Sequence, residues 1–364
     1  MATVVLAGGG TAGHVEPALA VARQWKVSHP HDRLVFLGTT TGLENTLVPA
    51  ANFELHLIPR VRISRKPSPS WLKIPFDLIS SVRASKEVIK DADVVIGFGG
   101  YVSAPAYLAA KLTSTPIVIH EANAIPGWAN KLGAKFADEV LTAFSSTSKL
   151  NPNWSSAKLV GMPIREEIFA ISGLSKSDRS AKWDAAYREL GLDRSKRTIL
   201  FFGGSQGAKS MNDALAGALP ELLNRDFNVI HSVGKGNQLP NSVPGYAPLA
   251  YISNMSDMYI ASDFVIARGG AVTCAELAAA DSYALIVPLP IGNGEQVANA
   301  ADLIEKGAVV YDTQKQTRKL TKPLNKLVND MEITTFEVKY VYDWKPIVPV
   351  GQRDTADHPS RNFC

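Results

Sequence analysis

The chain is expected to fold as an α/β protein with two doubly wound parallel sheets, and three observations predict this. First, a β-rich apolar run passes through a glycine turn into a helix-like segment four times, in "VVLAGGGTAGHVEPALAVA", "DVVIGFGGYVSAPAYLAAKL", "TILFFGGSQGAKSMNDALAGAL" and "DFVIARGGAVTCAELAAA". Second, the apolar runs are nearly continuous rather than alternating, as strands covered on both faces require. Third, two of these turns fall in each half of a 364-residue chain, a length beyond the usual size of a single core.

Taken in order, the expected strands cover residues 4–7, 34–37, 94–96 and 117–119 in the first half and 198–202, 229–232, 264–267 and 284–287 in the second. They alternate with helix-like segments, the arrangement of βαβ units. The uncharged stretch 94–110 contains Gly97, Gly99, Gly100 and Pro105. It suits a buried strand turning into a helix, and it falls short of the roughly 20 residues of a membrane span. A polar, tryptophan-containing stretch, 148–194, separates the halves and places the boundary near Gly161. The expected domains are therefore 1–161 and 162–335, with a tail over 336–364.

Composition narrows the function classes. With 46% hydrophobic and 20% charged residues, the chain reads as soluble and globular. A net charge of +4 is too small to point to nucleic acid. The only cysteines, Cys274 and Cys364, make no disulfide framework. Met1 leads into strand-like sequence without the basic and apolar regions of a secretion signal, so a reducing cytoplasm is expected. Charge distribution says more than the total. Arg60, Arg62, Arg65, Lys66 and Lys73 follow one another without an acid, and Trp71, Leu72, Ile74, Phe76, Leu78 and Ile79 adjoin them. That pattern fits either a solvated loop beside a core helix or an interfacial membrane surface.

In open parallel sheets, ligands bind beyond the carboxyl ends of the strands, where glycine lets the backbone approach and the next helix presents free N–H groups. Four such turns point to an interdomain cleft and a phosphate-bearing ligand. In the first turn, Gly8, Gly10 and Gly13 satisfy GxGxxG. A dinucleotide domain also wants an acid at the end of its second strand, but here Gly38, Thr39, Thr40 and Thr41 follow. A triphosphate loop needs Lys and Ser or Thr after its last glycine, and this chain has His14 and Val15. What remains is an enzyme that holds a diphosphate as leaving group or anchor.

The motifs "GGGTAGHVEPALA", "GFGGYVSAPAYLAA", "HEANAIPGWANK", "GMPIR", "GGSQGA", "RGGAVTCAELAAA" and "PIGNGEQVANA" occur together, and as a set the chain resembles the MurG family of glycosyltransferases over roughly residues 1–311. It departs from the family's usual pattern at Ala12, Met162, Gly269 and the Glu295-Gln296 pair. The resemblance implies a GT-B fold and inverting transfer of N-acetylglucosamine from UDP-N-acetylglucosamine to undecaprenyl-diphosphate-linked muramyl pentapeptide, forming a β1,4 link. It further implies a peripheral enzyme on the cytoplasmic face of the cell membrane. The family's final helix returns to the first domain, whereas residues 331–364 lack its alanine-rich pattern.

Such chemistry needs a base, stabilisation of the departing diphosphate and a grip on the donor. His14 is the leading base, because the positive end of its helix favours the neutral imidazole. Glu121, after the strand 117–119, is the second candidate and is alternatively a residue that orients His14 or an acceptor group. Arg165 offers a bidentate cation for the diphosphate. By resemblance, Ser205 and the helix start at Gly270, Ala271, Val272 and Thr273 join Arg165, Glu276 holds the ribose, and the backbone of Ile252 reads uracil. The resemblance also places Asn123, Gln296 and Asn299 on the donor sugar. Thr11, Ala12 and Gly13 are expected to line the cleft under the sugar and diphosphates. No cofactor and no metal are expected, because the DxD formed by Asp91 and Asp93 precedes its strand and so lies opposite the cleft. Arg65, Lys66, Trp71, Leu72, Lys73, Ile74 and Phe76 are the expected contacts with an anionic membrane. The alternatives are a UDP-sugar epimerase or another GT-B enzyme with a soluble substrate, and a nonenzymatic sugar-nucleotide binder.

Overall fold

The computed structural model describes residues 1–61, 73–289, 294–304 and 309–310. The chain divides into two compact units, Met1–Arg165 and Glu166–Cys364. In the first, β1 (Thr3–Gly8), β2 (Arg33–Gly38), β3 (Glu54–Leu57), β4 (Val94–Gly99), β5 (Ile117–Glu121), β6 (Glu139–Thr142) and β7 (Lys158–Leu159) form a sheet ordered β3-β2-β1-β4-β5-β6-β7. Its neighbouring strands pair in parallel throughout. The second unit repeats the plan with β8 (Arg197–Phe202), β9 (Phe227–Ser232), β10 (Tyr246–Leu249), β11 (Phe264–Ala267), β12 (Ala284–Ile286) and β13 (Val309–Val310), ordered β10-β9-β8-β11-β12-β13.

Both sheets reverse their winding at one place, between β1 and β4 and between β8 and β11. Such a switch point opens a crevice at the carboxyl ends of the strands. All four glycine turns lie there, after β1, β4, β8 and β11.

The continuous apolar runs have the expected cause. Val4 and Leu6 of β1 pack with Val15, Ala18, Leu19 and Ala22 of the Ala12–Ser28 helix. Val5 and Ala7 face the other side, toward Ala106, Tyr107 and Ala110 of the Ser103–Thr113 helix. In the second unit, Ile199 and Phe201 of β8 meet Met211, Leu215, Ala218 and Leu222 of the Lys209–Asn224 helix.

Sequence periodicity does not reveal β3, β6, β7, β10 and β13. They are two to four residues long, and "ELHL", "EVLT" and "KL" carry charged side chains that leave no apolar run to detect. The stretch 148–194 is also more than a separator. Its Lys176–Leu190 helix is capped by Ser175, which accepts the Asp178 N–H at 3.1 Å, and by Gly191 in the left-handed conformation. Trp183 is buried there with its ring 4.1 Å from that of Tyr187.

Candidate functional site

In the first unit, the turn after β1 delivers His14. Thr11 caps the helix, and its carbonyl accepts the N–H groups of His14 and Val15 at 3.1 and 3.2 Å. The imidazole packs on the backbone after β4. A Cβ at Gly99 would lie 3.3 Å from His14 Nδ1, and one at Gly100 would lie 3.2 Å from Cδ2. Gly99 also has φ +93°, so glycine is required there both by the backbone and by the ring beside it. His14 Nδ1 is buried without a well-formed hydrogen bond, with the Phe98 backbone beside the ring. Burial lowers the pKa below 6.5, against smaller opposing effects of the Phe98 backbone and the Glu44 carboxylate. The ring is therefore neutral at pH 7 and can accept a proton. Thr11 is exposed beside it, and Ala12 and Gly13 are half-buried.

Glu121, at the end of β5, is buried and fully engaged. Oε1 accepts Asn123 N–H at 2.8 Å and Asn123 Nδ2 at 3.3 Å, while Oε2 accepts Gly127 N–H at 3.0 Å and Asn130 Nδ2 at 2.9 Å. Burial raises its pKa despite these bonds. Asn130 in turn accepts the Tyr107 hydroxyl at 2.7 Å. Its amide nitrogen would lie 3.3 Å from a Cβ at Gly99, as His14 Nδ1 would, so this network abuts the imidazole through Gly99. Of the two base candidates, Glu121 is committed through both oxygens to its own loop, whereas the His14 ring packs on Gly99 and Gly100. Asn123 is half-buried, with its amide on Glu121.

One buried carboxylate escapes the sequence reading. Glu44 is completely buried and accepts the Gly10 N–H at 2.8 Å, so the first glycine turn is partly filled by the protein's own acid. The acid sought directly after β2 comes a few residues later, as the first residue of the Glu44–Ala50 helix. The available signal was "GLEN", a glycine that leaves room and an acid at a helix start.

In the second unit, Gly270 caps the Ala271–Ala279 helix without a side-chain cap. The first-turn N–H groups of Ala271, Val272 and Thr273 thus lie at an end suited to an anion. Glu276, one turn on, is buried and accepts the Tyr259 hydroxyl at 3.2 Å. The side chain of Ile252 is buried, and Ser205 is half-buried with its carbonyl on Lys235 N–H at 3.1 Å. Gln296 accepts the Leu289 N–H at 2.8 Å, and the buried Asn299 donates to the Gly269 carbonyl at 3.2 Å. Those two amides fasten the Glu295–Asn299 helix to the segment after β12 and to the turn after β11, respectively. Arg268, not anticipated, does similar work, donating to the Val287 and Pro288 carbonyls at 3.1 and 3.0 Å. Arg165, the last residue of the first unit, is half-buried.

Asp93 lies at the amino ends of β1 and β4, where its carboxylate accepts the Thr3 N–H at 2.7 Å. Among the described residues, no group of three or more His, Cys, Asp and Glu side chains is placed to hold a metal ion. Of the membrane candidates, Arg65, Lys66, Trp71 and Leu72 lie outside the described residues, as does the tail 336–364. Lys73 is exposed and Ile74 is half-buried. Phe76 is 72% and Ile79 50% exposed, while Ser81, Ser85 and Ile89 form the buried face of their helix. Phe76 and Ile79 therefore do not pack onto the sheet.

Residues 4–142 match the glycosyltransferase family 28 N-terminal domain, and residues 198–337 match the corresponding C-terminal domain. A Rhodococcus erythropolis protein named UDP-N-acetylglucosamine--N-acetylmuramyl-(pentapeptide) pyrophosphoryl-undecaprenol N-acetylglucosamine transferase is 45% identical over 85% of this chain and 81% of its own length. A protein of the same name from Saccharopolyspora erythraea is 44% identical over 91% and 86%. The chain belongs to the MurG family of glycosyltransferases. A crystal structure of MurG from Acinetobacter baumannii, 29% identical, superposes with a TM-score of 0.68 over 91% of each chain, which identifies the two parallel-sheet units as the GT-B fold. The calicheamicin glycosyltransferase CalG4, at 13% identity and a TM-score of 0.61 over 92% of this chain and 91% of its own, shares that fold. Among the described residues, no helix is long and apolar enough to cross a membrane.

Proposed function

We infer that this chain transfers N-acetylglucosamine from UDP-N-acetylglucosamine to the muramyl sugar of undecaprenyl-diphosphate-linked muramyl pentapeptide, with inversion. The observation that carries the reading is 45% identity over 81% of a relative named for that transfer. His14 takes the proton of the acceptor hydroxyl as its oxygen attacks the anomeric carbon. The bond from that carbon to the diphosphate breaks, and UDP leaves with the electron pair. Arg165, Ser205 and the N–H groups of Ala271, Val272 and Thr273 stabilise the charge that builds on the diphosphate, with Gly270 keeping the helix end open.

Glu276 holds the ribose hydroxyls, and the backbone of Ile252 reads uracil. Asn123, Gln296 and Asn299 serve the donor sugar, the last two chiefly by shaping the segment that carries them. Thr11, Ala12 and Gly13 serve the sugar and diphosphates beside His14. Glu121 supports the loop that carries Asn123. Neutralisation by Arg165 and a helix end makes a metal ion unnecessary, and Asp93 is committed to the far ends of β1 and β4. The chain works as a peripheral protein on the cytoplasmic face, with Phe76 and Ile79 turned toward the bilayer that holds the acceptor's lipid.

The test is UDP release from UDP-N-acetylglucosamine with and without the lipid-linked acceptor. Acceptor-dependent release accompanied by a disaccharide product is expected. Epimerisation without UDP release would overturn the reading.

A further inference from the structure

The side chain of Glu44 is 0% exposed, and each oxygen has a defined task. Oε2 accepts the Gly10 N–H at 2.8 Å. Oε1 accepts the Thr39 N–H at 3.0 Å, the Thr39 hydroxyl at 3.3 Å and the Tyr101 hydroxyl at 3.3 Å. Glycines make the space for it. A Cβ at Gly38 would lie 2.5 Å from Glu44 Cγ, and one at Gly9 would lie 3.1 Å from Oε1. On the outer side, the Arg60 guanidinium sits 5.1 Å over the Tyr101 ring and donates to Thr41 Oγ1 at 3.0 Å.

One carboxylate thus ties together the turns that follow β1, β2 and β4. The His14 imidazole belongs to two of these segments at once. It stands on the helix that the Gly10 turn opens, and it packs against Gly99 and Gly100, next to Tyr101. We propose that Glu44 is a positioning residue for His14, fixing through Gly10 and Tyr101 where the imidazole meets the acceptor hydroxyl. This rests on the reading of His14 as the base.

A carboxylate is suited to the place because it only accepts, and the backbone groups facing it, Gly10 N–H and Thr39 N–H, both donate. Glutamine has nearly the same shape but turns an N–H₂ toward one of those donors. One buried donor is then left unmet, and the turn must shift to relieve it. Displacing a reacting group by about 1 Å costs on the order of 10² in rate.

The test compares the full chain carrying Glu44→Gln or Tyr101→Phe with wild type, and with Glu54→Gln at the exposed Arg33–Glu54 ion pair as control. Turnover with the lipid-linked acceptor is expressed per UDP-binding site, and amide exchange is followed in peptides containing Gly10. For Glu44→Gln we expect turnover to fall about 10- to 100-fold, KM for UDP-N-acetylglucosamine and the number of UDP sites to stay unchanged, and exchange at Gly10 to accelerate. Tyr101→Phe, which removes the hydroxyl's bonds to Glu44 and Thr39 and keeps the carboxylate, should show a smaller drop of the same kind and carries the test if Glu44→Gln does not fold. Glu54→Gln should match wild type. Wild-type turnover in Glu44→Gln beside an active parent overturns the proposal, as does a KM rise or loss of UDP sites parallel to the loss of turnover. A parent without acceptor-dependent UDP release instead overturns the reading of the enzyme itself.

Discussion

Two glycine turns of nearly the same sequence pattern, one after β1 and one after β11, are built for different tasks. In the first, Glu44 occupies the Gly10 N–H, the Tyr101 ring lies 2.7 Å from where a Gly10 Cβ would be, and His14 packs on the neighbouring Gly99–Gly100 backbone. In the second, Gly270 opens a helix whose first turn has no side-chain cap hydrogen bond, and the buried Glu276 stands one turn further in. The lesson is that glycine makes room without saying for whom. After β1 the room is taken by the Glu44 and Tyr101 side chains beside the His14 imidazole, and after β11 the Gln296 backbone and Ile286 crowd Gly269 while the helix end at Gly270 carries no side-chain cap, the arrangement that suits an anion.

If that division of labour is right, the largest effect should come from the first turn and fall on turnover alone. His14→Ala is expected to reduce kcat about 10²- to 10⁴-fold, with binding of UDP-N-acetylglucosamine unchanged. Steady-state rates and calorimetric titration measure the two quantities, and near-normal turnover would remove His14 from the mechanism. The pH profile sharpens the same point. Burial lowers the folded-state pKa below the ordinary 6.5, so the neutral base persists below that pH and the acid limb of kcat should lie under 6.5. The sign for stability follows from the unfolded chain binding the proton more readily. As pH falls below 6.5, the folded state loses stability until the folded pKa is passed. Burial lowers the pKa of His120, and also of His231, to about 4 for the latter, so both add to the same acid-side loss.

The second turn should answer with affinity instead. Glu276→Ala removes the carboxylate proposed to hold the ribose hydroxyls, together with the oxygen that accepts the Tyr259 hydroxyl at 3.2 Å. A hydrogen bond to a charged group contributes about 1.5–3 kcal/mol, so KM for the donor should rise roughly 10- to 150-fold while kcat at saturation changes little. A large fall in kcat with KM unchanged would erase the contrast between the two turns.

Central and edge strands differ in legibility for a physical reason. The central strands could be read because each is buried on two faces and writes an unbroken apolar run, as β1, β2, β4, β8 and β11 do. Edge strands such as β3 and β7 have exposed faces that accept Glu54, His56 and Lys158, and nothing in their spacing marks them. At the site, the place of His14 beside the first glycine turn was legible because it adjoins that turn in sequence. Glu44 was not, because its partners Gly10 and Tyr101 lie 34 and 57 residues away and meet it only when β1, β2 and β4 lie side by side. The commitment of Glu121 to Asn123, Gly127 and Asn130 was hidden for a different reason: these partners lie only 2, 6 and 9 residues on, but a glutamate at a strand end looks alike in sequence whether it is open or saturated.

A smaller effect is expected at the surface of the first unit proposed to meet the bilayer, a task with no counterpart in the glycine turn after β11. Phe76 and Ile79 are exposed at i, i+3 spacing on one side of the Ile74–Ile89 helix, and Arg83 continues that side at i+7. Replacing both apolar residues with serine removes the salt-resistant part of binding. If each side chain is only partly inserted, the loss is about 1–2 kcal/mol in total, or roughly tenfold in vesicle partitioning. Co-sedimentation with anionic vesicles across a salt series measures it. Unchanged partitioning of the folded variant would place the membrane surface elsewhere on the first unit.

The smallest effect should come from the end of the first sheet opposite both β1 and β4 turns. Asp91 and Asp93 spell a motif that holds a divalent ion in some glycosyltransferases, but Asp93 bonds to the Thr3 backbone at both its N–H and its carboxylate, joining the amino ends of β1 and β4. Asp93→Asn keeps an acceptor for the Thr3 N–H and loses only the charge. Stability should therefore fall by no more than about 1 kcal/mol. Asp91→Asn together with Asp93→Asn should leave kcat and KM at wild-type values, and EDTA should not change the rate of either protein. Loss of activity in the stably folded double variant, or restoration by Mg²⁺ of an EDTA-treated enzyme, would move the diphosphate to the other end of the sheet. It would also undo the assignment of charge neutralisation to Arg165 and the helix that begins at Ala271.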